Sequence, residues 1–133
     1  MMTTRRRRPA PRLGGRPYVL AALGLALLAG PANADAPVPR IAKGKLYSTV
    51  RVDLAALGWK PAPVKGEQSG CTIGREDVCE RYPETEFCAG TGMGACGFLW
   101  SKNNTLIQVK TVGEDPAALT LRGVACRAGC PTR

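Results

Sequence analysis

The sequence predicts an α+β domain in which one helix packs on a small antiparallel sheet and disulfides staple the assembly. Three observations carry that expectation. A helical stripe runs into Gly58-Trp59, two alternating segments flank Asn103-Asn104, and six cysteines recur at repeated intervals. A length of 133 residues fits one compact domain rather than two.

Residues 1–34 read as a secretory signal peptide. Arg5, Arg6, Arg7, Arg8, Arg12 and Arg16 form a basic opening, and residues 18–29 form an apolar run that Gly30-Pro31 interrupts. Ala32-Asn33-Ala34 supplies an A-x-A cleavage site. A helix through that apolar run would cover about 18 Å, against the roughly 30 Å of a bilayer core, so no stable membrane insertion is expected after cleavage. Residues 35–45 are Pro-rich and polar and are expected to form a flexible leader. Residues 46–133 are then a single disulfide-rich α+β domain.

Within that domain Leu46, Val50, Leu54 and Leu57 fall on one helical stripe. Gly58 suits the left-handed position that ends a helix, with Trp59 folding back onto Leu54 in a Schellman ending. The two prolines of Lys60-Pro61-Ala62-Pro63-Val64 restrict that stretch to an edge strand or a loop. Residues 66–96 are rich in glycine, charge and cysteine, and residues 81–87 offer a short strand with Tyr82 and Phe87 available to the core. The hairpin is the clearest element. Residues 97–102 and 105–112 flank Asn103-Asn104, and asparagine tolerates the positive φ that a two-residue turn requires. This register pairs 102 with 105, 100 with 107 and 98 with 109, placing Phe98, Trp100, Ile107 and Val109 on one face. After a turn at 113–116, residues 119–122 alternate as a further strand.

Cys71, Cys79, Cys88, Cys96, Cys126 and Cys130 all lie in the expected mature part. An even number in a small exported chain reads as a disulfide framework. Fifteen connectivities are open to six cysteines. The repeated Cys-x(7)-Cys interval and the Cys126-x(3)-Cys130 couple favour local pairing, 71–79, 88–96 and 126–130. Loops of about nine residues would each add on the order of 2–3 kcal/mol in the chain-entropy model. No C-x-x-C occurs and the spacing matches no zinc ribbon, so no metal and no cofactor is expected.

The order of these motifs resembles a group of small exported bacterial proteins of unknown function. They share a helix-Gly-Trp-x-Pro segment followed by a Cys-x-Gly-Thr-Gly-x(3)-Cys-x-Phe-x-Trp hairpin, here Gly58-Trp59-x-Pro61 and Cys88 through Trp100. The resemblance covers roughly residues 46–115 and implies an exported domain with a helix and a meander. It implies no catalytic residue, and Cys126 and Cys130 lie outside it.

Charge and composition exclude several functions. The formal net charge of +9 is concentrated in the first 34 residues, and the remaining 99 carry 13 basic and 10 acidic side chains. Those bases are scattered and aromatic residues are few, so no nucleic-acid partner is expected. The chain contains no histidine, which removes His-based catalytic dyads and triads. Glu84 and Glu86 would share a strand face, where a solvated acidic surface is the simpler reading than an acid/base pair. Ser101 and Lys102 are neighbours on a strand and point apart, which defeats a Ser–Lys dyad. Gly90-Thr91-Gly92-Met93-Gly94 invites a phosphate-loop reading but lacks the Lys-Ser/Thr ending, so it is read as a glycine-rich turn closed by a disulfide.

No catalytic residue is therefore assigned. The expectation is a non-catalytic periplasmic or secreted domain that binds a protein or envelope component. Its candidate binding loop is Gly90, Thr91, Gly92, Met93 and Gly94, together with the neighbouring segment 66–80. A secreted inhibitor of a hydrolase is the specific alternative, and a thiol-redox factor or small enzyme is the rival from another class.

Overall fold

The structure is a computed structural model that describes residues 9–11, 14–15, 34–64 and 70–132. The signal-peptide reading of residues 1–34 falls almost wholly outside the described residues. From residue 34 onward the elements run α1 (Tyr47–Ala56), β1 (Lys60–Pro61), β2 (Gly70–Cys71), α2 (Glu76–Arg81), β3 (Thr85–Cys88), β4 (Cys96–Lys102), β5 (Thr105–Val112) and β6 (Thr120–Ala128). The fold is α+β and disulfide-stapled, with helix α1 on one face of a small sheet. Strands follow the order β2-β3-β4-β5-β6, and β1 lies beside β4 off that path. All pairings are antiparallel except β2 with β3, which run parallel.

Helix α1 has no side-chain cap at its N-terminus. At ten residues it is too short to stand alone in water, so packing must hold it. Its buried face is Tyr47, Val50 and Leu54, while Leu46 and Leu57 are exposed. The stripe is thus rotated by about one residue from the expected Leu46/Val50/Leu54/Leu57 set. Tyr47 takes the place of Leu46 because its ring stacks on Phe98, 3.9 Å between centroids.

The C-terminus of α1 is a Schellman ending. The Trp59 N–H donates to the Leu54 carbonyl and the Gly58 N–H to that of Ala55, both at 2.9 Å. Gly58 sits at φ +81°, and the atoms nearest a Cβ there would be 3.6 Å away. Gly58→Ala therefore meets a conformational penalty and no clash, about 1–2 kcal/mol. Thermal denaturation should show a melting temperature lower by roughly 4–16 °C, and a drop under about 2 °C would count against the strained position.

The hairpin register is the one read from the sequence. Lys102 pairs with Thr105, Trp100 with Ile107 and Phe98 with Val109. Asn103 takes φ +53° at the turn. Phe98, Trp100, Ile107 and Val109 are all buried on the face that α1 covers. Tyr82 completes the aromatic centre edge-on to Tyr47 and Phe98, at 4.9 and 5.7 Å.

Two expectations require correction here, and one element was not anticipated. Residues 35–45, expected to be a flexible leader, pack on the domain. Ala36 is buried with its N–H donating to Thr105 Oγ1, Val38 and Ile41 lie against the core, and Leu46 bridges to Thr120. Gly44 and Lys45 hold the end of this segment to β6, the Gly44 N–H donating to the Leu121 carbonyl and the Leu121 N–H to that of Lys45. Residues 76–81 form a helix that the sequence reading did not identify. Phe87, expected in the core, is exposed instead, because a register shift between Thr85 and Phe87 turns the chain at that point.

Candidate functional site

The disulfides join Cys71 to Cys79, Cys88 to Cys96 and Cys126 to Cys130, and no cysteine is free. This is the local pairing that the spacing favoured. Such bonds persist in an oxidising setting such as lies outside the cytosol. Among the described residues no helix is long and apolar enough to cross a membrane.

Two of the disulfides frame a pair of loops. Cys88 and Cys96 face each other across β3 and β4, with Cα atoms 4.2 Å apart. The Ala89 N–H donates to the Ala95 carbonyl, and the Gly113 N–H reaches the Met93 carbonyl. The glycine-rich segment 90–94 is thus closed at its base and tied on its flank. Gly92 and Gly94 take φ +70° and +62°, and a Cβ on Gly94 would lie 2.4 Å from the Gly113 carbonyl oxygen. Only glycine fits there.

The second loop is the turn 72–75 between β2 and α2, held by Cys71–Cys79. The Arg75 N–H donates to the Thr72 carbonyl, and the Gly74 N–H donates to Glu76 Oε2. Thr72 Oγ1 donates to the Cys88 carbonyl at 2.9 Å, which docks this turn against the first loop. The structure so brings together Gly90, Thr91, Gly92, Met93 and Gly94 with part of the neighbouring 66–80 segment, of which residues 70–80 are described. Ile73 is 92% exposed and Met93 65% exposed, so each loop presents one apolar side chain to solvent.

Between the loops lies a cavity of about 200 Å³ lined by Gly74, Arg75, Gly90, Thr91, Gly92, Gly94 and Glu114. Arg75 is only 6% exposed. Its guanidinium donates to the carbonyls of Ala89 (2.8 Å) and Gly113 (2.9 Å) and lies 3.4 Å from Cys96 Sγ. One arginine therefore ties three segments together at the floor of the surface. Nothing local in the sequence distinguishes Arg75 from the solvated arginines around it.

The acidic pair is split. Glu84 is 1% exposed and accepts from Tyr47 Oη (2.8 Å) and Arg51 Nε (2.6 Å) beneath α1. Trp100 Nε1 donates in turn to Tyr47 Oη. Burial, then the negative charge of Glu84, pushes the Tyr47 hydroxyl far above the ordinary tyrosine range, so it stays neutral. Glu86 lies on the opposite face with Gln108 and Arg127. The expected shared acidic face does not form, and a bulge in β3 is the cause. Lys102 Nζ donates to the Leu57 carbonyl at the end of α1. Among the described residues no group of three or more His, Cys, Asp or Glu side chains gathers as for a metal ion.

Compared with protein-family models, with curated proteins and with solved structures, the chain matches none.

Proposed function

We propose that this chain is a non-catalytic domain exported to the periplasm or beyond, with residues 1–34 as its signal peptide, that recognises a protein or envelope component. The observation that carries the reading is the pair of loops at 72–75 and 89–95. Each is closed at its base by a disulfide, and each presents an exposed apolar side chain, Ile73 or Met93. Loops pre-ordered in this way lose little entropy on binding. Apolar side chains held out into solvent on a braced turn gain from burial by a partner. The pairing of all six sulfurs supports a structural role for the cysteines over a thiol-redox one.

The test is recovery of partners from an envelope extract on immobilised protein, comparing the native chain with Ile73→Asp, Met93→Asp and Thr91→Ala. All three side chains are exposed, so folding should be unaffected. The aspartate variants are expected to reduce recovery about tenfold or more, as for central interface residues. Undiminished recovery in both would remove the loops from the reading. A hydrolase among the recovered partners, inhibited by the native chain and not by Ile73→Asp, would narrow the function to an inhibitor.

A further inference from the structure

Given the binding role proposed above, the chemistry that a partner must bring to this surface follows from Arg75. The guanidinium is more than nine-tenths buried, yet its oxygen partners are two backbone carbonyls. Among the described residues its buried Nε has no hydrogen-bond partner, and no ion pair includes it. An arginine cannot shed its proton to escape such burial, so neutral dipoles leave its charge only partly compensated.

The cavity beside it has the form of a receptor. Four of its lining residues are glycines 74, 90, 92 and 94, which leave much of its wall without side chains, so that a guest can approach the backbone closely. Its volume of about 200 Å³ holds roughly six or seven water-sized groups, enough for a carboxylate and the atoms that carry it. Glu114 stands on the same lining. Glu114 repels any anion that enters opposite Arg75, and it repels a phosphate dianion about twice as strongly as a singly charged carboxylate, so the lining favours the carboxylate of the two.

We propose that the cavity is a carboxylate-binding site that takes an acidic side chain or a terminal carboxylate of the protein partner, flanked by an apolar residue that Ile73 and Met93 contact.

The test uses the exported protein labelled with ¹⁵N and titrated with sodium acetate, with sodium chloride at matched ionic strength as reference. The amide signals of Gly90, Gly92 and Gly94 and the Nε–H signal of Arg75 should shift saturably, with half-saturation in the millimolar range. N-acetyl-methionine and N-acetyl-aspartate N-methylamide, run in parallel, separate a terminal carboxylate from a side-chain one by which binds tighter. Arg75→Gln would also cut the ties to Ala89 and Gly113, so the informative variant is the exposed Glu114→Gln. It should bind acetate about twofold to fivefold tighter through loss of like-charge repulsion.

Shifts no larger than those in chloride would overturn the site. An unchanged acetate affinity in Glu114→Gln would overturn its placement in this cavity. Stronger binding of inorganic phosphate than of acetate would overturn the carboxylate assignment. Acetate binding is read on the isolated protein, so it can fail while partner recovery succeeds, and the reverse, which keeps the two proposals separable.

Discussion

Glu84→Ala should lower the free energy of unfolding by about 3–5 kcal/mol, the cost of removing one partner from a buried ion pair. Glu84 lies under α1, where it accepts from Tyr47 Oη at 2.8 Å and from Arg51 Nε at 2.6 Å. The variant leaves a buried tyrosine hydroxyl without an acceptor and a guanidinium without its counter-charge. The Arg51 side chain is 34% exposed, so water can recover part of its solvation and place the loss toward the lower end of that range. Tyr47 has no such recourse. Its ring stacks on Phe98, its oxygen receives the Trp100 indole N–H, and any movement to find a new acceptor disturbs both.

Two further variants apportion the effect. Glu84→Gln keeps an acceptor for Tyr47 and should cost less than Glu84→Ala. Arg51→Met leaves the carboxylate buried with the tyrosine alone and should cost more than the roughly 0–1 kcal/mol of an exposed pair. Urea midpoints at neutral pH measure all three. A loss under about 1 kcal/mol for Glu84→Ala would show that the network contributes no more than a surface contact.

The hairpin and the end of α1 were legible in the sequence because both are local. Alternation around Asn103-Asn104 sets the register, and a glycine followed by a large apolar residue marks a helix stop. What was not legible depends on distant partners. Tyr47 displaces Leu46 from the buried face because Phe98, Glu84 and Trp100 meet it there, and no window around residue 47 contains them. Helix α2 spans six residues, too few for a periodic signal, although Glu76 and Asp77 in its first turn and Arg81 in its last agree with the helix dipole. Strand β6 continues to Ala128, well past the alternation that ends at Arg122, because Gly123, Ala125 and Cys126 carry no apolar pattern while β5 still offers a free edge.

The candidate surface divides in the same way. Glycine spacing and flanking cysteines marked 90–94 as a closed turn, and exposed Met93 follows from its place at the tip. That Arg75 lies beneath it depends on the Ala89 and Gly113 carbonyls, 14 and 38 residues away. Burial of a charged side chain by carbonyls brought from beyond the ends of β3 and β5 leaves no trace in local composition.

Reduction of the three disulfides should have the largest effect of all. The bonds close loops with sequence separations of 8, 8 and 4. In the chain-entropy model they together hold on the order of 7 kcal/mol, comparable with the roughly 5–15 kcal/mol net stability of a typical domain. Two of the bonds also anchor segments with little else to hold them. Strand β2 has two residues and α2 has six, and Cys71–Cys79 joins them. Cys88–Cys96 closes the glycine-rich loop at buried positions. Cys126–Cys130 spans the shortest loop, beyond the core, so Cys126→Ser with Cys130→Ser should be the mildest of the paired removals.

Thermal melts by circular dichroism, with and without reductant, measure the whole effect, and mass after alkylation confirms the state of the sulfurs. The oxidised protein is expected to melt cooperatively, and the reduced protein to be unfolded or to melt tens of degrees lower, since 1 kcal/mol is worth about 4–8 °C at this size. A reduced protein that melts cooperatively within about 5 °C of the oxidised one would show that the buried aromatic centre suffices and that the bonds are dispensable to the fold. The loops at 72–75 and 89–95 would still lose their closure at the base. Any partner binding retained after reduction would then argue that preordering by the disulfides is not what makes this surface a recognition site.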